Sequence, residues 1–223
     1  MEKTKLMKQL ESFLIENGAG DVGFCRLLKD NDFHMPWAVS FVIPLSDSIV
    51  DSINDAPTHT YFHHYRTINV HIDSISLKAG FILERAGFNY VPVPASQSVG
   101  GTVGMFSHKY AASLSGLGSI GKSGLFISEK FGPRVRLGTI LTNAEFPVEN
   151  TEPKCMCGDC RECVKACPAQ AISGEMWQAG DDRSIIIDAK ACSDYMKKAF
   201  QHIGRGAVCG ICMRVCPKGI KRS

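Results

Sequence analysis

A chain of 223 residues with 44% hydrophobic content is long enough for one medium domain, a small appendage and a core of ordinary size. Its longest apolar stretch, around Trp37 to Leu45, is far too short to span a bilayer, and Glu2, Lys3, Lys5, Lys8 and Glu11 interrupt the segment where a signal peptide would carry its apolar run. A reducing cytoplasm is the expected compartment, with no membrane partner. The formal charge is +3, and residues 189–223 concentrate the excess, with eight Lys or Arg against Asp194 alone.

The first 150 residues read as an alternation of helices and strands. Leu6, Leu10, Phe13 and Leu14 form one face of an opening helix that Gly18 or Gly20 can end. Val22 to Leu27 and Ala38 to Leu45 are β-rich and bounded by polar or Pro positions. Thr60 can cap a long helix whose face is Tyr65, Ile68, Ile72, Ile75, Ala79 and Ile82, before Gly87 ends it. Phe88 to Val93 reads as a strand, and Lys109 to Ser115 as a short helix. Gly124 to Ser128 and Val135 to Thr142 are expected to form a hairpin around Phe131-Gly132-Pro133. Phe146 to Lys154, rich in Pro and Glu, reads as a linker.

Nine of the ten cysteines lie after residue 150. Cys157, Cys160, Cys163 and Cys167-Pro168 follow the C-x2-C-x2-C-x3-C-P run of bacterial two-cluster ferredoxins, whose fourth cysteine ligates the other cluster. The second run, Cys209, Cys212 and Cys216-Pro217, is one ligand short, because Gly206 stands where its first cysteine would be. Cys192 is the only cysteine between the runs and completes the count. Cluster one is therefore assigned to Cys157, Cys160, Cys163 and Cys216, and cluster two to Cys167, Cys192, Cys209 and Cys212. A zinc site would favour two separated C-x2-C pairs, and a disulfide framework an oxidising compartment; neither accounts for the Cys-Pro ends. Cys155 misses the spacing, and Cys25 reads as a small buried hydrophobe. Two cubanes, each near −2 with its thiolates, add about −4 and offset much of the basic excess. The competing reading of that excess, a nucleic-acid surface, lacks interleaved aromatics.

Gly116-Leu117-Gly118-Ser119-Ile120-Gly121-Lys122-Ser123 satisfies both the P-loop and the G-x-G-x-x-G patterns, yet each requires a strand before the glycines and a helix after. Here a helical segment precedes and the strand-like Leu125-Phe126-Ile127 follows. What remains is a flexible backbone able to approach an anion, with the charge of Lys122 beside it.

The combination of Leu114-Ser-Gly-Leu-Gly-Ser-Ile-Gly-Lys-Ser-Gly-Leu-Phe-Ile, Leu137-Gly-Thr-Ile-Leu-Thr, the first cysteine run continued by Ala169-Gln-Ala-Ile172, Ile187-Asp-Ala-Lys-Ala-Cys192-Ser-Asp-Tyr195 and the second cysteine run resembles the epoxyqueuosine reductases. That family is related to the corrinoid-dependent reductive dehalogenases. The resemblance spans residues 20 to 217 and is strongest from 111 onward. It implies an α+β protein in which a nitroreductase-like α/β module, residues 1–148, binds a base-off cobalamin. A ferredoxin-like domain, residues 149–223, then carries two [4Fe–4S] clusters. It also implies that one cluster passes electrons to the corrin, and that the segment Gly116 to Ser123 contacts the cobalamin. A module of this shape also holds flavin mononucleotide, the alternative cofactor.

Two departures separate the chain from that family's pattern. Its Val-Asp-x-x-Pro segment, which supplies a proton-donating Asp, corresponds here to Val91-Pro-Val-Pro-Ala-Ser-Gln97, and the sequence ends at Ser223 where those enzymes continue into a helical-repeat domain that helps bind tRNA. The expectation is an iron–sulfur oxidoreductase acting on a small molecule rather than on tRNA. The alternative is an electron-transfer protein that reactivates a separate corrinoid protein. A low-potential ferredoxin or flavodoxin is the expected donor. In the absence of the Asp, His64, Tyr65, His108 and Tyr110 are the candidate proton donors.

Overall fold

The computed structural model describes residues 3–97, 104–152, 154–178, 181–204 and 208–219. Two compact units make up the chain, each discontinuous in sequence. The first comprises Met1–Pro44, Ile68–Gly118 and Arg136–Pro153, and the second Leu45–Thr67, Ser119–Val135 and Lys154–Ser223. Segments 45–67 and 119–135, which precede position 148, thus fold with the cysteine-rich region.

The first unit is built on a four-stranded sheet of order β1-β2-β6-β3, from β1 (Asp21–Arg26), β2 (Trp37–Pro44), β3 (Tyr90–Val93) and β6 (Val135–Thr142). β1 runs antiparallel to β2, Phe24 opposite Val39, and β3 antiparallel to β6, Val91 opposite Leu141. Alternation along the strands divides the core in two. Phe24, Val39, Phe41, Ile43 and Ile140 face one side, where α1 (Lys3–Glu16) contributes Leu6, Leu10 and Leu14, and α3 (His59–Arg85) contributes Ile72, Ile75, Ala79 and Leu83. Cys25, Ala38 and Leu141 face the other side, with Ala111 and Leu114 of α4 (His108–Leu114). Cys25 is fully buried there, its thiol donating to the Ala111 carbonyl, and burial raises its pKa to about 11, as suits a small core residue.

Both long helices of this unit end where glycine is required. Gly18 adopts φ +93° and Gly87 φ +87°, and the following N–H groups return to the last turn, Ala19 to Leu14 and Phe88 to Leu83.

Two expectations are corrected. Thr60 does not cap α3: the helix begins at His59, and Thr58 Oγ1 accepts from the Tyr61 N–H, because the residue three positions before a free N–H is the one whose hydroxyl reaches it. Nor do Gly124 to Ser128 and Val135 to Thr142 form a hairpin. β5 (Phe126–Ser128) pairs instead with β4 (Gly118–Ile120), while β6 joins the four-stranded sheet. The tight connection between β4 and β5, with Gly124 N–H on Gly121 O and Gly121 N–H on Leu125 O, makes the local pairing, and Phe131-Gly132-Pro133 retains a single bridge, Ser128 to Gly132.

In the second unit the short α2 (Asp47–Asp51), β5 with Ser119 and Ile120 of β4, and the first turns of α3 accompany α5 (Glu162–Ala166), α6 (Ala189–Gly204) and α7 (Ile211–Arg214). Arg134, 5% exposed at its side chain, donates to Asp47 and Asp51 and ties α2 to the approach to β6. An isolated bridge between Ile172 and Ile187 closes the loop from α5 to α6. Among the described residues no helix is long and apolar enough to cross a membrane.

Candidate iron–sulfur centre

Proximity sorts eight of the cysteines into two sets of four, with Cys155 standing beside Cys157 as a ninth. Cys157 and Cys160 lie on the turn before α5, joined by Cys160 N–H to Cys157 O, Cys163 lies on α5, and Cys216 stands where α7 gives way to a 3-10 turn. Cys216 neighbours Cys157, Cys160 and Cys163 closely enough that the thiolates oppose one another's ionisation. In the other group Cys167 follows α5, Cys192 lies on α6, Cys209 precedes α7 and Cys212 lies on it; Cys192 and Cys209 both neighbour Cys167, and Cys212 neighbours all three and also Cys163 of the first group. Each run thus sends its Cys-Pro cysteine into the other group.

Burial is the first cause of raised thiol pKa values throughout, with neighbouring sulfurs adding to it. Cys157 is pushed up to about 11, Cys212 further, and Cys163, Cys192, Cys209 and Cys216 also upward. Such thiols hold their protons at neutral pH until a cationic centre displaces them, and ligand deprotonation couples binding to proton release. Among the described residues no three His, Cys, Asp or Glu side chains converge as they do around one ion. A cubane spreads four thiolates around a four-iron body rather than a point, so the two groups of four suit it.

The glycine segment divides between the units: Gly116, Leu117 and Gly118 belong to the first, Ser119 to Ser123 to the second. Leu117 through Gly124 are buried. Gly116 takes φ +77° and faces Thr151 Oγ1, while Ser123 Oγ accepts from Leu125 N–H. A strand and a turn into a second strand occupy the place where a P-loop would lead into a helix. Lys122, 6% exposed, turns its ammonium onto the Gly158 carbonyl at 2.7 Å, and its N–H donates to Cys157 Sγ at 3.4 Å. The cation that the sequence offers to an anion is thus engaged by the first cysteine loop.

The four candidate proton donors are not brought together in one unit. His64 and Tyr65 lie on the part of α3 in the second unit, half-buried; His64 Nε2 accepts from Ser46 N–H at 3.1 Å, and burial lowers its pKa. His108 and Tyr110 belong to the first unit, on α4. His108 stands with Nε2 3.0 Å from the Pro94 carbonyl and Nδ1 2.9 Å from Thr139 Oγ1. A carbonyl only accepts, so in the bond to Pro94 Nε2 carries the hydrogen and Nδ1 takes the Thr139 hydroxyl, while the Gln97 amide nitrogen stands 3.2 Å from the same Nε2. Burial lowers its pKa to about 4, leaving a neutral imidazole with both nitrogens engaged. The Tyr110 hydroxyl accepts from Leu28 N–H at 3.1 Å, a bond that does not use its own hydrogen.

Periodicity gave no sign of the polar knot around Ala95. The Ala95 N–H donates to Asp73 Oδ1 at 2.8 Å and its carbonyl accepts from Arg136 Nη2 at 3.0 Å, while Arg136 Nε reaches Asn69. A carboxylate therefore does meet the Val91 to Gln97 stretch, supplied by α3 rather than by the stretch itself. Its only advance signal was an Asp and an Asn four apart on an otherwise apolar-faced helix.

The family model of the 4Fe-4S double cluster binding domain matches residues 156–219. The protein holds two [4Fe–4S] clusters. A tetrachloroethene reductive dehalogenase of Desulfitobacterium hafniense is 35% identical over 157 residues, 64% of this chain and 26% of that protein. An epoxyqueuosine reductase of Synechococcus sp. (strain RCC307) is 36% identical over 106 residues, 48% of this chain and 32% of its own, and one of Listeria monocytogenes 28% over 147, 65% and 36%. The chain is related to both. It spans between about a quarter and a little over a third of the length of these curated relatives. Among solved structures, a catabolic reductive dehalogenase in complex with 3-bromo-4-hydroxybenzoic acid superposes with a TM-score of 0.74 at 21% identity, over 96% of this chain and 31% of that one. An epoxyqueuosine reductase from Streptococcus thermophilus gives 0.60 at 20%, over 96% and 66%. At these identities the likeness establishes a shared α+β fold.

Proposed function

We propose that this protein is an oxidoreductase that passes electrons through its two [4Fe–4S] clusters to a base-off cobalamin for the reduction of a small molecule. The observation that carries the electron path is the exchange of ligands, Cys167 standing with the second group and Cys216 with the first, which binds the two clusters into one body through α5 and α7. Cobalamin enters from kinship: one solved relative is described by a mechanism for B12-dependent dehalogenation. Bound, it would supply a redox-active cobalt that hands electrons to the substrate. The glycine segment fits that group poorly on its own, being buried, with Lys122 held by Gly158. Of the four candidate donors, Tyr110 has the most suitable geometry, since its hydroxyl accepts a backbone N–H and keeps a hydrogen to give.

The small-molecule reading is supported by a Val91 to Gln97 stretch without an acid of its own, whose nearby carboxylate, Asp73, is already the acceptor for Ala95 N–H. The buried glycine segment also favours a second reading, an electron-transfer protein that reactivates a separate corrinoid protein. Anaerobic reconstitution with hydroxocobalamin, and separately with flavin mononucleotide, followed by gel filtration and visible spectroscopy, tests the choice. Stoichiometric retention of cobalamin supports the first reading. Retention of flavin alone replaces it with a flavoprotein, and retention of neither leaves the electron-transfer protein.

A further inference from the structure

A buried lysine needs a counter-charge. Lys122 is 6% exposed, and no carboxylate of the described residues pairs with it; its recorded bond goes to a neutral carbonyl, Gly158 O, at 2.7 Å. One uncharged acceptor does not offset the desolvation of a cation. The compensating charge lies along the same bonds, because Gly158 follows Cys157 in the first cysteine loop, and the backbone N–H of Lys122 donates to Cys157 Sγ at 3.4 Å. A cubane with four thiolates at that loop supplies about two negative charges.

The residue before Lys122 explains how its backbone comes so near. A Cβ on Gly121 would stand 3.2 Å from Cys157 Sγ and closer still to Ile127, so the approach depends on the absence of a side chain. The turn that presents the pair is fixed by Gly121 N–H on Leu125 O and Gly124 N–H on Gly121 O, with Gly124 at φ +72°. Gly158, at φ +50°, sits within the C-x2-C turn that Lys122 grips.

We propose that Gly121-Lys122 is a clamp that positions the Cys157 loop and sets the reduction potential of cluster one. Hydrogen bonds to ligand sulfur and nearby positive charge both favour the more negative, reduced cluster, so both raise its potential. The clamp therefore draws electrons toward cluster one. It gives the glycine segment a task at the cluster and none at a nucleotide phosphate. The inference rests on Cys157 being a ligand of cluster one, as in the reading above.

The test is an anaerobic redox titration of the holoprotein followed by electron paramagnetic resonance, on wild type, Lys122→Met, Lys122→Arg and Gly121→Ala, with iron analysis on each. Cys157→Ser identifies the component belonging to cluster one. In Lys122→Met that component alone moves to lower potential, its reduced-to-oxidised ratio at the wild-type midpoint falling about tenfold, which for one electron is ~59 mV. Lys122→Arg recovers most of the wild-type potential, and Gly121→Ala moves the same component. Should Lys122→Met lose iron, selective loss of the cluster-one signal supports the clamp and loss of both signals overturns it, with Lys122→Arg then titrated in its place. Unmoved midpoints at full iron content overturn the proposal while leaving the two clusters standing. A wild type with one cluster, by contrast, refutes the ligand assignment beneath it.

Discussion

His108 Nδ1 lies 2.9 Å from Thr139 Oγ1, joining α4 to the central strand β6. Burial is the main cause of its lowered pKa, Arg136 adds to it, and the Pro94 carbonyl and Asp73 oppose it, leaving a value of about 4 against 6.5. Between those values the unfolded chain binds the proton and the folded one does not, so stability rises with pH through the window and is flat above it. Its contribution is at most ~3 kcal/mol, fully present above pH 6.5 and lost as pH falls towards 4. Anaerobic thermal unfolding of wild type and His108→Gln across that range should show the difference between them shrinking as the pH is lowered. A difference that grows would mean that His108 is protonated in the fold.

Gly138 of β6 lies under the fully buried ring of Phe41, and a Cβ there would overlap the ring. Gly138→Ala should therefore destabilise the first unit by ~1–3 kcal/mol through overpacking. Phe41→Leu in the same chain should recover part of that loss. A neutral Gly138→Ala would mean that the ring moves freely in a core that packs it on every side.

Much of the first unit was legible because period-2 and period-3.6 patterns report burial directly: Leu6, Leu10 and Leu14 on α1, and Ile72, Ile75 and Ala79 on α3, point where their spacing says. Counting to four leaves Cys192 and Cys216 few places to go, and the ligand assignment that follows from the count stands as a proposal. What spacing does not carry is which neighbour a short strand chooses. Phe126–Ser128 has three residues and no pattern of its own, so the turn at Gly121 to Gly124 decided its partner. The destination of Lys122 was hidden likewise, because a Gly-Lys pair has the same letters whether its cation meets a bound anion or the carbonyl beside a cysteine. Asp73 and Arg136 were hidden because a polar knot is made by residues far apart in sequence.

If the substrate is a small molecule, tRNA binding should be weak. The basic excess lies in the cluster region, two clusters offset about four of its charges, and non-specific affinity follows the number of phosphates neutralised. Filter binding of the holoprotein to tRNA should show affinity that collapses between 50 and 200 mM salt, roughly the range over which such contacts are screened. The gene should also fail to restore queuosine in a strain without its own reductase. Submicromolar binding at physiological salt together with restored queuosine would instead make tRNA the substrate.

The ligand exchange between the two cysteine runs is tested most directly by Cys216→Ser. Wild type purified without oxygen should contain close to eight irons per chain, on four per cubane. Although Cys216 belongs to the second run, its substitution should alter the same paramagnetic component as Cys157→Ser and leave untouched the component altered by Cys209→Ser. If Cys216→Ser and Cys209→Ser perturb one common component while that of Cys157→Ser is unchanged, each run serves its own cluster and the account is contradicted.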